Sequence, residues 1–147
     1  MMDALLLAED LCRRFEGLYL RPYLCPAGVP TIGYGATFYE DGRRVLMTDP
    51  AITIERANQL LRWHLSRRFM PQVIALCPGA ETPQQIAALT DFAFNLGVGA
   101  LKTSTLRRRV NAGQWDDVPV QLLRWNKAGG KVLRGLTRRR QAEIDLL

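Results

Sequence analysis

Apolar residues recur at three- and four-residue intervals through most of this chain, and the rhythm fails only between about residues 18 and 47. Ala4, Leu5, Ala8, Leu11, Cys12 and Phe15 form one stripe of a helix over 3–15, with Asp3 as its N-cap. Glu16 follows, and Gly17 is expected to stop the helix. Beyond it, Pro22, Pro26, Gly28, Pro30, Gly33, Gly35 and Gly42 divide short β-prone runs, and Asp41-Gly42 is a hairpin signal. A small antiparallel sheet of two or three strands is expected there.

Helical spacing resumes at Thr53, which can cap a helix from Ile54 carrying Ala57, Leu60, Leu61, His64 and Leu65 on one stripe. Pro71 should kink or end it. Thr82-Pro83-Gln84-Gln85 combines an N-cap, a proline at the first helical position and a capping-box glutamine. The helix it opens carries Ile86, Leu89, Thr90, Ala93 and Phe94 to a stop at Gly97. Its apolar residues wrap widely round it, as expected of a central buried helix. Ser104 caps a short helix ending near 111–112 before Gly113; Asp116 or Asp117 opens another, which Gly129-Gly130 should break. A last helix is expected over 136–146. The pattern predicts one α+β domain over 1–147. A β subdomain at about 18–47 packs beside a mostly helical lobe, about 54–147 plus the N-terminal helix 3–15, with a cleft between them.

The length suits one domain with a real core. No run approaches the roughly 20 apolar residues that span a bilayer. The N-terminus lacks a basic region and two acids interrupt its apolar run, so it does not read as a signal peptide. Three cysteines (Cys12, Cys25, Cys77) without C-x-x-C spacing and a single histidine, His64, argue against a disulfide scaffold or a zinc site. His64 reads as a packing or surface residue, and no metal or organic cofactor is expected. A net charge of +6 favours anionic partners without choosing among them. The triplets Arg107-Arg108-Arg109 and Arg138-Arg139-Arg140 read as solvated faces.

The chemistry centres on Glu16. A carboxyl group at a helix–loop junction, facing a polar hairpin, suits a general acid that protonates a leaving oxygen. Cys25 follows nine residues later and Thr31 fifteen, leading into Thr31-Ile32-Gly33-Tyr34-Gly35. Downstream stand FAFNLG at 92–97, STLRRRVNAG at 104–113, RWNKAGGKVLRGL at 124–136 and RRRQAE at 138–143. In this order the blocks resemble the phage-type lysozymes of glycoside hydrolase family 24, the endolysins of tailed bacteriophages, over nearly the whole chain.

The resemblance implies a lysozyme-like fold and hydrolysis of the β-1,4 bond between N-acetylmuramic acid and N-acetylglucosamine in peptidoglycan. It places Glu16 as general acid, with an arginine from 138–140 beside it, and gives Thr31 a part in holding the attacking water. Cys25 stands where most members have an aspartate. It can act as a weak base, orient water, or simply fill space; a free thiol of pKa about 8.5 is mostly neutral at pH 7 unless a cation such as Arg21 lowers it. Ala36 replaces the histidine usual after GYG. For substrate binding the resemblance points to Asn95, Trp125 and Asn126, though a core Trp and a helix-end Asn read as naturally.

It further implies a monomer made in the host cytoplasm that reaches the wall after holin-type permeabilisation of the membrane. Two other enzymatic or binding readings remain open: a lytic transglycosylase forming 1,6-anhydro ends, and a wall-binding domain without catalysis. Nucleic-acid binding has only the charge in its favour, since no stacking platform or zinc spacing accompanies the arginines.

Overall fold

The computed structural model describes residues 2–147. Helix α1 (Met2–Phe15) buries Ala4, Ala8, Leu11 and Cys12, the inner part of the expected stripe. Asp3 is not its N-cap: the helix already runs at Met2, so Asp3 lies in the first turn, where a carboxylate complements the helix dipole. Glu9, on the same buried side, is closed in by a forked ion pair from Arg62. At the far end the Glu16 N–H still bonds the Cys12 carbonyl at 2.8 Å. Gly17 serves differently from a left-handed stop, since it is absent from the positive-φ glycines. A Cβ there would stand 3.0 Å from the Tyr19 ring, so the missing side chain lets that ring close over the turn.

Strands β1 (Tyr19–Leu24) and β2 (Pro30–Gly33) pair antiparallel, with Tyr23 opposite Thr31 and a bulge between Tyr19 and Tyr23. The layer continues through single bridges, Ile32 to Ala36 and Phe38 to Arg44. Asp41-Gly42 makes the expected turn, with Gly42 at φ +86° and the Asp41 side chain accepting from the Arg43 N–H.

Helix α2 (Ile54–His64) is capped by Thr53, whose hydroxyl accepts from the Arg56 N–H at 3.0 Å. It does not stop at Pro71. One π turn (Leu65–Phe69) intervenes, closed by the Met70 N–H on the Leu65 carbonyl, and the chain continues as α3 (Met70–Leu76) with Pro71 in its first turn, where a missing N–H costs little. Helix α4 (Pro83–Leu96) opens with the complete capping box between Thr82 and Gln85, and buries every residue from Ile86 to Ala93. Its core neighbours include Val73, Cys77, Leu101, Leu106, Val110, Val118 and Leu122.

The short helix α5 (Val98–Lys102) has no counterpart among the sequence expectations; five residues are too few to show a period. Ser104 caps α6 (Thr105–Asn111) as expected. Asp117 precedes α7 (Val118–Leu123), but its carboxylate bonds Arg109 and Gln121 instead of the helix end. That helix ends well before Gly129-Gly130. The two glycines, at φ +58° and +78°, turn a hairpin between β3 (Lys127–Ala128) and β4 (Lys131–Val132). Helix α8 (Arg134–Leu146) then returns across α1 and α4. Among the described residues no helix is long and apolar enough to cross a membrane.

Candidate active site

Three helices, α1, α4 and α8, meet where α1 ends. That end carries Glu16, partly exposed at 26%. Against it lies the loop after β2, where a Cβ on Gly35 would sit in van der Waals contact with Oε2 of Glu16, at 3.6 Å; Gly35 has φ +85°, a conformation that a side chain would strain. On the other side α8 presents Arg139, whose Nη1 donates to Oε1 of Glu16 at 2.8 Å. Of the three candidate arginines, the structure brings Arg139 to the acid.

Arg139 is only 4% exposed, and its remaining donors explain why it can be. Nε and Nη2 fork onto Asp91 of α4 at 2.9 and 2.8 Å, and the guanidinium lies over the Phe15 ring. Burial works against its charge, but the bonds to Asp91 outweigh that and hold it firmly cationic. Burial likewise pushes Asp91 upward, and Arg139, together with hydrogen bonds from Glu143 and Cys12, more than reverses the push. The Cys12 thiol donates to the same carboxylate at 3.3 Å, and its pKa is raised by burial and by Asp91.

The next arginine repeats the device. Arg140, fully buried, forks onto Glu143 at 2.7 Å from both Nε and Nη2; Nη2 also donates to the Asn95 side-chain oxygen at 2.9 Å. Burial and the neighbouring Asp91 raise Glu143 against the pull of Arg140. The basic triplet at 138–140 is therefore no solvated face: only Arg138 is exposed. In the other triplet Arg107 bonds the carbonyls of Leu76 and Lys102, and Arg109 bonds Asp117.

Cys25 and Thr31 come together on the β1–β2 hairpin. Thr31 is buried, and its hydroxyl donates to the Val29 carbonyl at 2.8 Å while lying within reach of the Cys25 sulfur. The thiol pKa is lowered, first by the Val29 backbone N–H, with further help from Ala27 and Thr31. Arg21, the cation suggested by sequence proximity, is not among the causes; hydrogen bonds do the lowering. Tyr23, stacked on Tyr19 at 3.8 Å, has its phenol raised by burial, then by the charges of Tyr19, Cys25 and Glu16. Glu16 and Cys25 thus both lie within electrostatic range of the Tyr23 phenol.

Two pockets flank Glu16. One is lined by Phe15, Glu16, Asn95, Leu133, Leu136 and Arg139, so Asn95 does reach the cleft. Trp125 and Asn126 line neither pocket. Trp125 packs edge-on against Phe92, and Asn126 bonds Thr137 and the Leu133 N–H, which ties the β3–β4 hairpin to α8. The other pocket holds Glu16 with Ala36, Phe38, His64, Arg68 and Phe94. His64 is 5% exposed, its Nε2 3.1 Å from the Phe38 carbonyl, and burial lowers its pKa. It packs, as read from sequence, yet it does so in the wall of the cleft.

Sequence reasoning missed Asp91, Cys12 and Glu143. Asp91 had a signal, being the one charge inside the run Ile86–Phe94 of an otherwise apolar helix. Among the described residues no group of His, Cys, Asp and Glu could hold a metal ion.

The family model for phage lysozyme matches residues 13–143. An endolysin of Bacillus phage B103 is 38% identical over 137 residues, covering 93% of this chain and 51% of that protein. An endolysin of Acyrthosiphon pisum secondary endosymbiont phage 1 is 37% identical over 144 residues, covering 92% and 91%. The chain thus spans about half of the first relative and nearly all of the second. Among solved structures, the endolysin from Escherichia coli O157:H7 phage FAHEc1 matches with a TM-score of 0.84 at 33% identity, over 95% of this chain and 89% of that one.

Proposed function

Since the chain belongs to the phage lysozyme family of glycoside hydrolases, we propose that it is an endolysin that degrades bacterial peptidoglycan for host lysis, hydrolysing the β-1,4 bond between N-acetylmuramic acid and N-acetylglucosamine. Glu16 gives its proton to the glycosidic oxygen as the bond to C1 breaks. Water held by Thr31 and Cys25 adds to C1, and its proton passes to the thiolate or to solvent. The carboxylate left on Glu16 then accepts the hydrogen bond of Arg139. Asn95 binds an acetamido group beside the acid; Trp125 and Asn126 support that wall from behind. The enzyme acts as a monomer on the wall after holin-type permeabilisation of the host membrane, a route that rests on the family resemblance.

The observation that carries this reading is a partly exposed carboxyl at the floor of a cleft, bonded to a buried arginine at 2.8 Å. A thiol of lowered pKa, Cys25, acts with it on the Tyr23 phenol. The test is mass spectrometry of fragments released from purified Gram-negative peptidoglycan. Reducing N-acetylmuramic ends are expected, and Glu16→Gln should lose about 10²- to 10⁴-fold in rate with its fold intact. Anhydro ends would make the enzyme a transglycosylase, and undiminished activity of E16Q would remove Glu16 from the chemistry.

A further inference from the structure

An arginine against a general acid poses a chemical difficulty. A cation at hydrogen-bond distance favours the charged form of a carboxyl group. The acid must nevertheless carry a proton near neutral pH when substrate arrives. We infer that Asp91 is a positioning residue that resolves this conflict: it takes up the charge of Arg139, so that the arginine can hold Glu16 in place without forcing it to stay ionised. The inference rests on the assignment of Glu16 as the acid.

The geometry favours it in three ways. Two of the three hydrogen bonds of Arg139 go to Asp91 and one to Glu16, so the guanidinium is shared unequally, with the buried carboxylate holding the fork. Asp91 is fully buried, so water does not screen its field before it reaches the acid. It makes no hydrogen bond to Glu16 itself; the two carboxylates are joined through the Arg139 guanidinium. The groups facing Asp91 are Cys12 from α1 and Arg139 and Glu143 from α8. Those facing Glu16 are Arg139, with Cys12 and Tyr23 in electrostatic range, and His64 and Arg68 across the same pocket. Besides Glu16 itself, Asp91 is the carboxylate that bonds the arginine directly.

Neutralising Asp91 therefore makes the field at Glu16 more positive, and the alkaline limb of kcat/KM moves to lower pH. Glu143 relaxes toward its ordinary range once the Asp91 charge is gone, which limits the movement to about half to one pH unit. The experiment records pH–rate profiles on solubilised peptidoglycan for wild type, D91N, D91E, D91N/R139M and E16Q, with thermal unfolding of each. D91N should shift the limb down, while D91E, which keeps the charge, should leave it near wild type. D91N/R139M, which removes both charges and so leaves none unpaired, should return the limb toward wild type. A loss of rate in D91N at every pH with an unmoved limb would make Asp91 merely structural and overturn the inference. So would a limb in D91N/R139M that matches D91N. If D91N alone fails to fold, a double variant whose limb lies below that of wild type overturns the inference equally. Activity in E16Q would instead remove the reading on which the inference rests.

Discussion

Replacing Arg139 with Met leaves Asp91 as a fully buried carboxylate without its cation. Breaking one side of a buried pair costs about 3–5 kcal/mol. Here the cost has a ceiling, because the stranded carboxyl can take up a proton. From an unfolded value near 3.9, neutralising it at pH 7 costs about 4 kcal/mol, and each pH unit downward removes about 1.4 kcal/mol. In wild type the folded pKa of Asp91 is depressed, so the pair's stability is present above the unfolded value and lost as pH falls through the folded one. In the variant the folded pKa is raised, so the penalty is greatest at neutral pH and fades below about pH 4. For a domain of this size about 4 kcal/mol corresponds to a Tm lower by about 8–16 °C at pH 7, and to about a third of that at pH 5. Circular dichroism melts at pH 7, 6 and 5 measure the gap directly. D91N/R139M, which leaves no stranded charge, should recover most of it. A gap that is the same at pH 7 and pH 5, or that the second substitution does not narrow, would refute the reasoning.

Two further outcomes follow from the hairpin and the cysteines. Cys25→Ser should cost less activity than Glu16→Gln; a loss equal to that of E16Q in a folded protein would make the thiol an indispensable base, whereas wild-type rates would reduce it to a hydrogen-bonding group. Iodoacetamide at pH 7 should modify Cys25 first, because its pKa is lowered while burial pushes Cys77 up to about 11 and Cys12 upward as well. Peptide mapping that finds Cys77 or Cys12 modified before Cys25 would contradict that order.

What could be read from the residues alone was the local part of the fold. Thr53, Thr82 and Ser104 bond their own helix starts, and such caps need only the next three residues to be correct. The α4 core was legible because its apolar residues run all the way round. Long-range pairings were not. Nothing in RRR at 138–140 tells that the second and third arginines turn inward, since their carboxylate partners lie 48 residues back in one case and three ahead in the other. Gly129-Gly130 looked like a helix end because a two-residue strand is too short to alternate. For the site, the spacing of Glu16, Cys25 and Thr31 carried the recognisable part, while Asp91, which has no contact with them in sequence, had to wait for the packing of α4 against α8.

The π turn between α2 and α3 changes the phase of a helix. Buried positions run Ala57, Leu60, Leu61, His64 and Leu65, then jump five residues to Met70 and continue at Val73 and Cys77. A regular helix would have carried that stripe from His64 to Arg68; instead Arg68 is rotated out to lie over the Phe38 ring at the edge of the cleft. The turn thus behaves like a single inserted residue absorbed without a loop. Forcing the present sequence into an unbroken α-helix would turn everything after it by about 100°, pressing Phe69 and Gln72 toward the core in place of Met70 and Val73. Removing one residue from 66–69 has the opposite effect, because it places Met70 four positions after Leu65 and lets a plain helix keep the same core. A chain shorter by that one residue could therefore fold alike, and what it would give up is the side chain the extra residue pushes out beside the cleft. The helix spends one residue on reach, and the core does not register the change.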